Sequence, residues 1–363
     1  MTTLWTRLLL ILCLLLPVQA MAGPVLLATY DCGMSQFGPG LLLQHLTKGD
    51  RPSIEAGIAV IRQLDAEVLL LTDFDYDHDG QALGALQDRL RKLGLDYPEA
   101  LALRPNTGIA TGLDLDHDGK LNGPRDAQAY GRFSGQAGMA ILSRYPIDRA
   151  GIRDFTDLLW TDLPGADLPP DLAPEAKAVQ RLSTSGHYEV PVIYAHGKTL
   201  SLLVWSATPP IFDGPEDRNG RRNADETALW LHLLQGDLPQ IAPGAGAYTP
   251  PQAPFVVMGE PNLDPSDGDG KPQNLRALMT AVQDTAPRGT AGRSDAGHKG
   301  DAALDTALLP KSGKGLRLDM ILPSRDITVT GAQVLWPPDT DPFAALLTAA
   351  SRHHPISAML TLP

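Results

Sequence analysis

Short, nearly unbroken apolar runs alternate along this chain with stretches in which apolar residues return every third or fourth position. The run from Val25 to Tyr30 is β-prone and ends on Asp31, the pattern of a buried strand that carries a carboxylate at its tip. From Ser53, placed as an N-cap, Ile54, Ile58, Ile61 and Leu64 recur at helical spacing, and Val68 to Leu71 forms a second strand ending at Asp73. Leu83, Leu86, Leu90 and Leu93 mark another amphipathic helix, stopped by Gly94. The pattern predicts further strands over Gly138–Leu142, Leu200–Ser206, Pro254–Glu260, Leu316–Leu322 and Ile356–Leu362. It also predicts a helix from Asp225 to Leu234 through Leu229, Trp230 and Leu233. Strands that alternate with helices and long loops give an α/β (α+β) class.

The N-terminus changes the picture of where the protein works. Arg7, the apolar run Leu8 to Leu16 and the small-residue pattern Ala20-Met21-Ala22 have the layout of a secretory signal over residues 1–22. An uncleaved membrane anchor fits less well, because the run falls short of the ~20 residues that span a bilayer. Cys13 follows Leu12 rather than a small residue, which argues against a lipid-modified cysteine. A soluble periplasmic or extracellular protein of residues 23–363 is expected, with no transmembrane segment after signal removal. Loss of the signal removes Arg7 and no acid, moving the formal net charge from −12 to −13. Such a surface disfavours long nucleic acid and anionic membranes, though a local basic patch can still hold phosphate. Cys32 alone remains, so no internal disulfide forms and stability rests on a hydrophobic core. Leu163–Glu175 and Gly236–Pro254 are rich in Pro, Gly and Ala, but no change of composition follows them, so a single domain with long loops is expected.

Several clusters carry candidate chemistry. DYDHDG (Asp75–Gly80) and DLDHDG (Asp114–Gly119) open like calcium loops, yet Leu86 and Arg125 stand where a bidentate glutamate belongs, and Asp-Gly sequences are also ordinary turn chemistry. Turns are the simpler reading of these and of Asp264, Asp267 and Asp269; calcium is the alternative. RNGRRNADE places Arg218, Arg221 and Arg222 just ahead of a predicted helix, where guanidinium forks suit phosphate, or else form a solvated charged loop. No zinc, nucleophile-elbow, P-loop or dinucleotide pattern is present. What recurs is a polar residue after an apolar strand: Asp31, Asp73, Glu260 with Asn262, and Asp319, with His353 and His354 ahead of the last strand. Carboxylates gathered at sheet edges repel one another, and a hard divalent cation is the natural way to neutralise them.

The order of these motifs resembles the endonuclease/exonuclease/phosphatase superfamily, the deoxyribonuclease-like metal phosphoesterases. LLATYD, LLLTDFD, GQAGMAILSRYPI, SLLVWSATPP, VVMGEPNLDPSDGDG, LRLDMILPS and SRHHPIS carry the likeness across nearly the whole mature chain, and TPPIFDGPEDRNGRRN looks like a secreted bacterial subgroup. The resemblance implies a four-layer sandwich of two packed mixed β-sheets flanked by helices, with the active site at the sheet edges. It also implies one or two divalent ions, Mg²⁺ first and Mn²⁺ or Ca²⁺ as alternatives, and a histidine pair that stabilises developing charge.

Carried over by position, Asn262, Asp319 and His353 match, whereas Asp31, Asp73, Ser206, Glu260 and Arg352 depart from the family's residues. The metal ligands implied are Asp31, Asp73 and Glu260; Asn262 and Glu260 arrange metal and water, and Asp319 and His353 position the phosphate, with Arg218, Arg221 and Arg222 as phosphate clamps. Ser206 replaces a histidine, and Arg352 replaces the aspartate taken to orient His353, so an arginine there is expected to disfavour its protonated form. The function implied is a metal-dependent phosphoesterase, slowed by these changes, acting as a monomer on a phosphorylated small molecule or phosphodiester. The alternative is a catalytically impaired relative that binds a cation or a phosphorylated ligand.

Overall fold

The computed structural model describes residues 23–363 apart from 242, 243, 245, 253, 291–297 and 310–312, so the predicted signal at 1–22 lies outside the described residues. The described residues form thirteen strands: β1 (Val25–Asp31), β2 (Val68–Phe74), β3 (Glu99–Leu103), β4 (Gly138–Ser143), β5 (Arg153–Asp154), β6 (His187–Ile193), β7 (Thr199–Ser206), β8 (Phe255–Glu260), β9 (Ala307–Leu308), β10 (Gly315–Leu316), β11 (Met320–Pro323), β12 (Thr328–Val334) and β13 (Ile356–Thr361). Seven α-helices among the described residues accompany them: α1 (Leu41–Lys48), α2 (Pro52–Leu64), α3 (Gln81–Lys92), α4 (Pro174–Lys177), α5 (Arg218–Gln235), α6 (Gln273–Ala281) and α7 (Pro342–Ala350). None of the described helices is long and apolar enough to cross a membrane.

One sheet has the order β12-β13-β1-β2-β4-β3 and the other β11-β8-β7-β6-β5, each mixing parallel and antiparallel pairs; β9 and β10 form a separate ribbon. The period of two along each strand sorts side chains into layers. Leu27, Leu70 and Ile141 of the first sheet meet Leu202, Val204, Val256 and Met258 of the second between the sheets. Their neighbours Ala28, Tyr30, Leu69 and Leu71 face the other way, onto Ile54, Ile58 and Ile61 of α2 and Leu86 and Leu90 of α3. In the second sheet Leu203, Trp205 and Val257 pack against Leu229, Trp230 and Leu233 of α5 and Leu275 of α6. The result is the expected helix, sheet, sheet, helix sandwich. Strands buried on both faces explain why their sequences read as continuous apolar runs.

Three predicted elements shift. The helix after Arg51 starts at Pro52, whose fixed φ suits a first turn, so Ser53 lies inside it and caps nothing. The strand expected over Leu316–Leu322 breaks at Arg317–Asp319, where side chains replace the ladder: Arg317 N donates to Asp264 Oδ2 (2.7 Å), and Leu318 N (2.9 Å) and Asp319 N (3.2 Å) donate to Thr306 Oγ1. The helix expected from Asp225 begins two turns earlier, at Arg218. Its first turns bury Arg222, Asn223, Asp225 and Glu226, polar residues that an apolar periodicity cannot register.

Candidate active site

Topology gathers the predicted site residues before any side-chain contact is considered. β1 runs parallel to β2 with Asp31 opposite Thr72, and β7 runs parallel to β8 with Ser206 opposite Glu260, so each parallel pair delivers its polar tips to one edge. β13 is antiparallel to β1 and β11 is antiparallel to β8, so the residues that precede them, His353 and Asp319, arrive where β1 and β8 end. Gly259 makes the approach of β7 and β8 feasible: its φ is 142°, and a Cβ there would lie 2.0 Å from the Trp205 carbonyl oxygen. Asp73 and Asn262 hold φ of 51°, an uncommon conformation for residues other than glycine, at the ends of β2 and β8.

One donor atom each from Asp31, Glu260 and His353 lies within 4.8 Å of the others. His353 Nε2 stands 3.7 Å from both Asp31 Oδ2 and Glu260 Oε1, while its Nδ1 donates to Asp319 Oδ2 at 2.9 Å. Thr306 Oγ1 donates to the same Asp319 oxygen at 2.7 Å, and Ser206 Oγ donates to Glu260 Oε2 at 3.0 Å. Asp31 Oδ1 accepts from Gly33 N (3.1 Å) and Ser351 Oγ (3.4 Å).

Burial works against charge on His353, but Asp319, then Asp31 and Glu260, outweigh it and raise the imidazole to about 10. The expectation that Arg352 leaves His353 unoriented is therefore corrected. The orienting carboxylate comes from Asp319 at the start of β11, and the imidazole is held protonated. The carboxylates show the opposite strain. Burial, followed by Asp31 and Asp75, pushes Asp73 up to about 8, and burial with Asp31 raises Glu260 well above the ordinary carboxylate range. Asp319 Oδ1 is buried without a hydrogen-bond partner. Crowded acids and an orphaned carboxylate oxygen beside an imidazole nitrogen form an oxygen-rich donor set that suits a hard divalent cation. Asp31 and Glu260 supply its oxygens. Asp73 stands outside this three-residue group although its charge is felt there.

The arginines behave differently from the sequence expectation. They lie within the first turns of α5, not on a loop before it. Arg222 is buried and donates through Nε to Leu182 O (2.7 Å) and through Nη2 to Arg181 O and Ser183 O (both 3.0 Å). Arg221 pairs with Asp167, and Arg218 bonds Gln180 Oε1 at 2.5 Å. Guanidinium groups committed to scaffold acceptors are not free phosphate clamps. The neighbouring Asn223, fully buried, donates to Thr208 O (2.7 Å) and Pro261 O (2.8 Å), tying together the chain just past β7 and just past β8. Asn262 Nδ2 donates to Ala207 O (2.8 Å) in the same junction. No sequence signal marks Thr306 or Asn223, since isolated Thr and Asn residues carry no spacing pattern.

The two Asp-Gly loops diverge. Asp75 accepts from Gln36 N (2.9 Å) and Ala137 N (3.1 Å), and Asp77 accepts from Gln81 N (2.7 Å) and Ala82 N (2.8 Å) at the start of α3, so the first loop is turn and cap chemistry. Asp114, Asp116 and Asp118 present oxygens within 4.8 Å of one another, largely exposed, with Asp114 accepting from Asp118 N (3.1 Å) and Gly119 N (3.0 Å). Asp264 accepts from Ser266 N (2.7 Å) and Asp267 N (2.8 Å), again as a turn residue.

The sequence pattern of the Endonuclease/Exonuclease/phosphatase family matches residues 49–353. The chain belongs to this family. Membership places its function in the phosphoesterase and nuclease class. Among solved structures, the chain is similar to an endonuclease/exonuclease/phosphatase from Beutenbergia cavernae, at 15% identity and a TM-score of 0.54 over 94% of this chain and 72% of that one. It is also similar to sphingomyelinase C from Streptomyces griseocarneus, at 14% identity and a TM-score of 0.50 over 93% of this chain and 99% of that one. At such identities the likeness is one of fold. No curated protein matches the sequence.

Proposed function

We propose that this family member is an exported, metal-dependent phosphoester hydrolase, a phosphodiesterase or phosphatase, with Mg²⁺ as its first-choice ion. The observation that carries the reading is the His353 imidazole, charged by Asp319 and aimed between Asp31 and Glu260. Asp31 and Glu260 would hold the ion, which would offset their charge and supply Lewis-acid polarisation of a phosphoryl oxygen. His353 Nε2 then offers an N–H and a positive charge to the phosphoryl group as negative charge grows on it. Asp319 holds the ring's orientation through Nδ1, and Thr306 holds Asp319. Ser206, standing where the family resemblance implies a histidine, fixes Glu260 through its hydroxyl and supplies no second cation, which supports slow turnover. Asn262 holds the end of β7 through Ala207 O, and so positions the Glu260 turn. The formal net charge of the mature chain, −13 once Arg7 is lost from the −12 of the full sequence, favours small phosphoesters over long duplex nucleic acid. Export rests on the signal-like pattern of residues 1–22.

The test is turnover of bis(p-nitrophenyl) phosphate by the purified mature chain with Mg²⁺, Mn²⁺ or Ca²⁺ against a chelator control. Metal-dependent release of nitrophenol that vanishes in His353→Ala supports the reading. Absence of turnover with all three ions overturns it in favour of a cation- or phosphate-binding relative, the second reading that Ser206 supports.

A further inference from the structure

The arginine triplet of α5 is occupied by the scaffold, so any guanidinium that holds the phosphoester alongside the ion and His353 must come from elsewhere. Arg352 is the residue placed to supply it. It is exposed at a bend between two residues that both touch the cluster: Ser351, whose Oγ lies 3.4 Å from Asp31 Oδ1, and His353, whose Nε2 lies 3.7 Å from Asp31 and Glu260. The bend is held on both sides. Ser351 Oγ accepts from His353 N (3.0 Å), and the Arg352 carbonyl accepts from Leu308 N (3.2 Å) of β9. The backbone is therefore fixed while the side chain is open to solvent. Among the described residues Arg352 has no ion-pair partner, in a chain with 42 acidic and 30 basic residues. Its charge is nevertheless felt inside the site, where it offsets part of the rise imposed on Asp73 by burial, Asp31 and Asp75.

Resting on the phosphoesterase reading, we infer that Arg352 is a substrate-binding residue that pairs its guanidinium with a non-bridging phosphoryl oxygen at the rim of the Asp31, Glu260 and His353 cluster. A planar guanidinium fork matches two phosphoryl oxygens and keeps its charge at every working pH, whereas an ammonium offers one point of contact. The substitution of an acid by an arginine next to His353 then changes how the anion is held rather than simply removing a ligand. It also limits the substrate to one with at least one free anionic phosphoryl oxygen, which a phosphomonoester or phosphodiester has and a neutral triester lacks.

The experiment measures inorganic phosphate binding by calorimetry, in Mg²⁺ buffer, for the wild type, Arg352→Gln and Arg352→Lys, alongside KM and kcat for the bis(p-nitrophenyl) diester. Loss of one charge-assisted pair is expected to weaken phosphate binding about tenfold in Arg352→Gln and less in Arg352→Lys, with KM rising in parallel and kcat falling less. The inference is overturned if Arg352→Gln binds phosphate within about twofold of wild type, or if wild type binds none. Its failure is distinct from failure of the enzyme reading: turnover that persists with unchanged KM in Arg352→Gln removes only Arg352. An absence of turnover with every ion, together with phosphate binding lost in Arg352→Gln, removes only the hydrolase.

Discussion

Asp319→Asn isolates the contact on which the proposed chemistry depends. The amide is nearly isosteric and can still accept from His353 Nδ1 and Thr306 Oγ1, so the fold has no reason to fail; what disappears is the charge. His353 stands at about 10 instead of its ordinary 6.5. At 1.36 kcal/mol per pKa unit, the surrounding carboxylates favour the charged ring by on the order of 5 kcal/mol beyond the burial they must offset. Asp319 is the nearest of the three, 2.9 Å away and hydrogen-bonded, against 3.7 Å for Asp31 and Glu260. Asp319 is the first of the groups that raise His353, so its loss lowers the ring's pKa in the variant. The sign follows from linkage. A histidine raised in the folded state adds stability that is fully present below its unfolded pKa and is lost as pH rises through the folded value, about 10 in wild type. In Asp319→Asn that loss moves down toward neutral pH. Nitrogen-15 NMR of the imidazole in chelator-treated protein, from pH 5 to 10.5, reads it directly. Wild-type His353 remains an imidazolium through pH 9, and the variant's ring gives up its proton at lower pH than the wild type's. A wild-type ring that titrates near 6.5, or a variant indistinguishable from wild type, refutes the reasoning. Turnover of the variant is expected to fall by up to about 10⁴, the loss seen when a histidine's carboxylate partner is removed elsewhere.

Other outcomes follow from the same geometry. Glu260, raised well above the carboxylate range by burial, costs stability once ionised: the favourable state is present below the unfolded pKa and lost as pH rises through the folded one. Glu260→Gln should therefore raise the melting temperature of chelator-treated protein at pH 8, while reducing the extra stabilisation gained on adding Mg²⁺; a variant that melts lower without metal contradicts this. Gly259→Ala places a Cβ 2.0 Å from the Trp205 carbonyl oxygen and should cost about 3 kcal/mol or more in urea denaturation, with β7 and β8 forced apart; a loss under about 1 kcal/mol contradicts the close approach. Arg222→Ala, which removes donors from three buried carbonyls, should destabilise by about 3 kcal/mol in the same assay, and wild-type stability in this variant would return Arg222 to the list of free phosphate ligands.

Much of this was legible in the residues alone because strands buried on both faces write themselves as apolar runs, and Asp31, Asp73, Ser206 and Glu260 terminate such runs. The four layers follow from the same runs, each strand sending alternate side chains to different cores. Three things were hidden. The partner of His353 is 34 positions away at Asp319, and a reading by adjacency looked instead at Arg352. The acceptors of the α5 arginines were hidden because those of Arg222 are backbone carbonyls, which have no sequence signature, and those of Arg221 and Arg218 are side chains about 40 or more positions away, at Asp167 and Gln180. The break at Arg317–Asp319 depends on Thr306, a single hydroxyl that takes two backbone N–H groups and a carboxylate from another segment.

The placement of the cluster at the strand tips, with Asp31 and Glu260 as the last paired residues of β1 and β8 and His353 just ahead of β13, has a consequence for how such a protein changes over generations. Exchanges among Asn, Asp, Glu, Ser and Arg at strand tips change no member of the three large apolar clusters, whose residues flank these tips without including them. Selection on what the edge binds can thus proceed almost independently of selection on folding. A lineage can drift from one ligand set to another, or lose turnover altogether, while its members keep the same fold. In this architecture, a preserved fold carries little information about whether the edge still does chemistry.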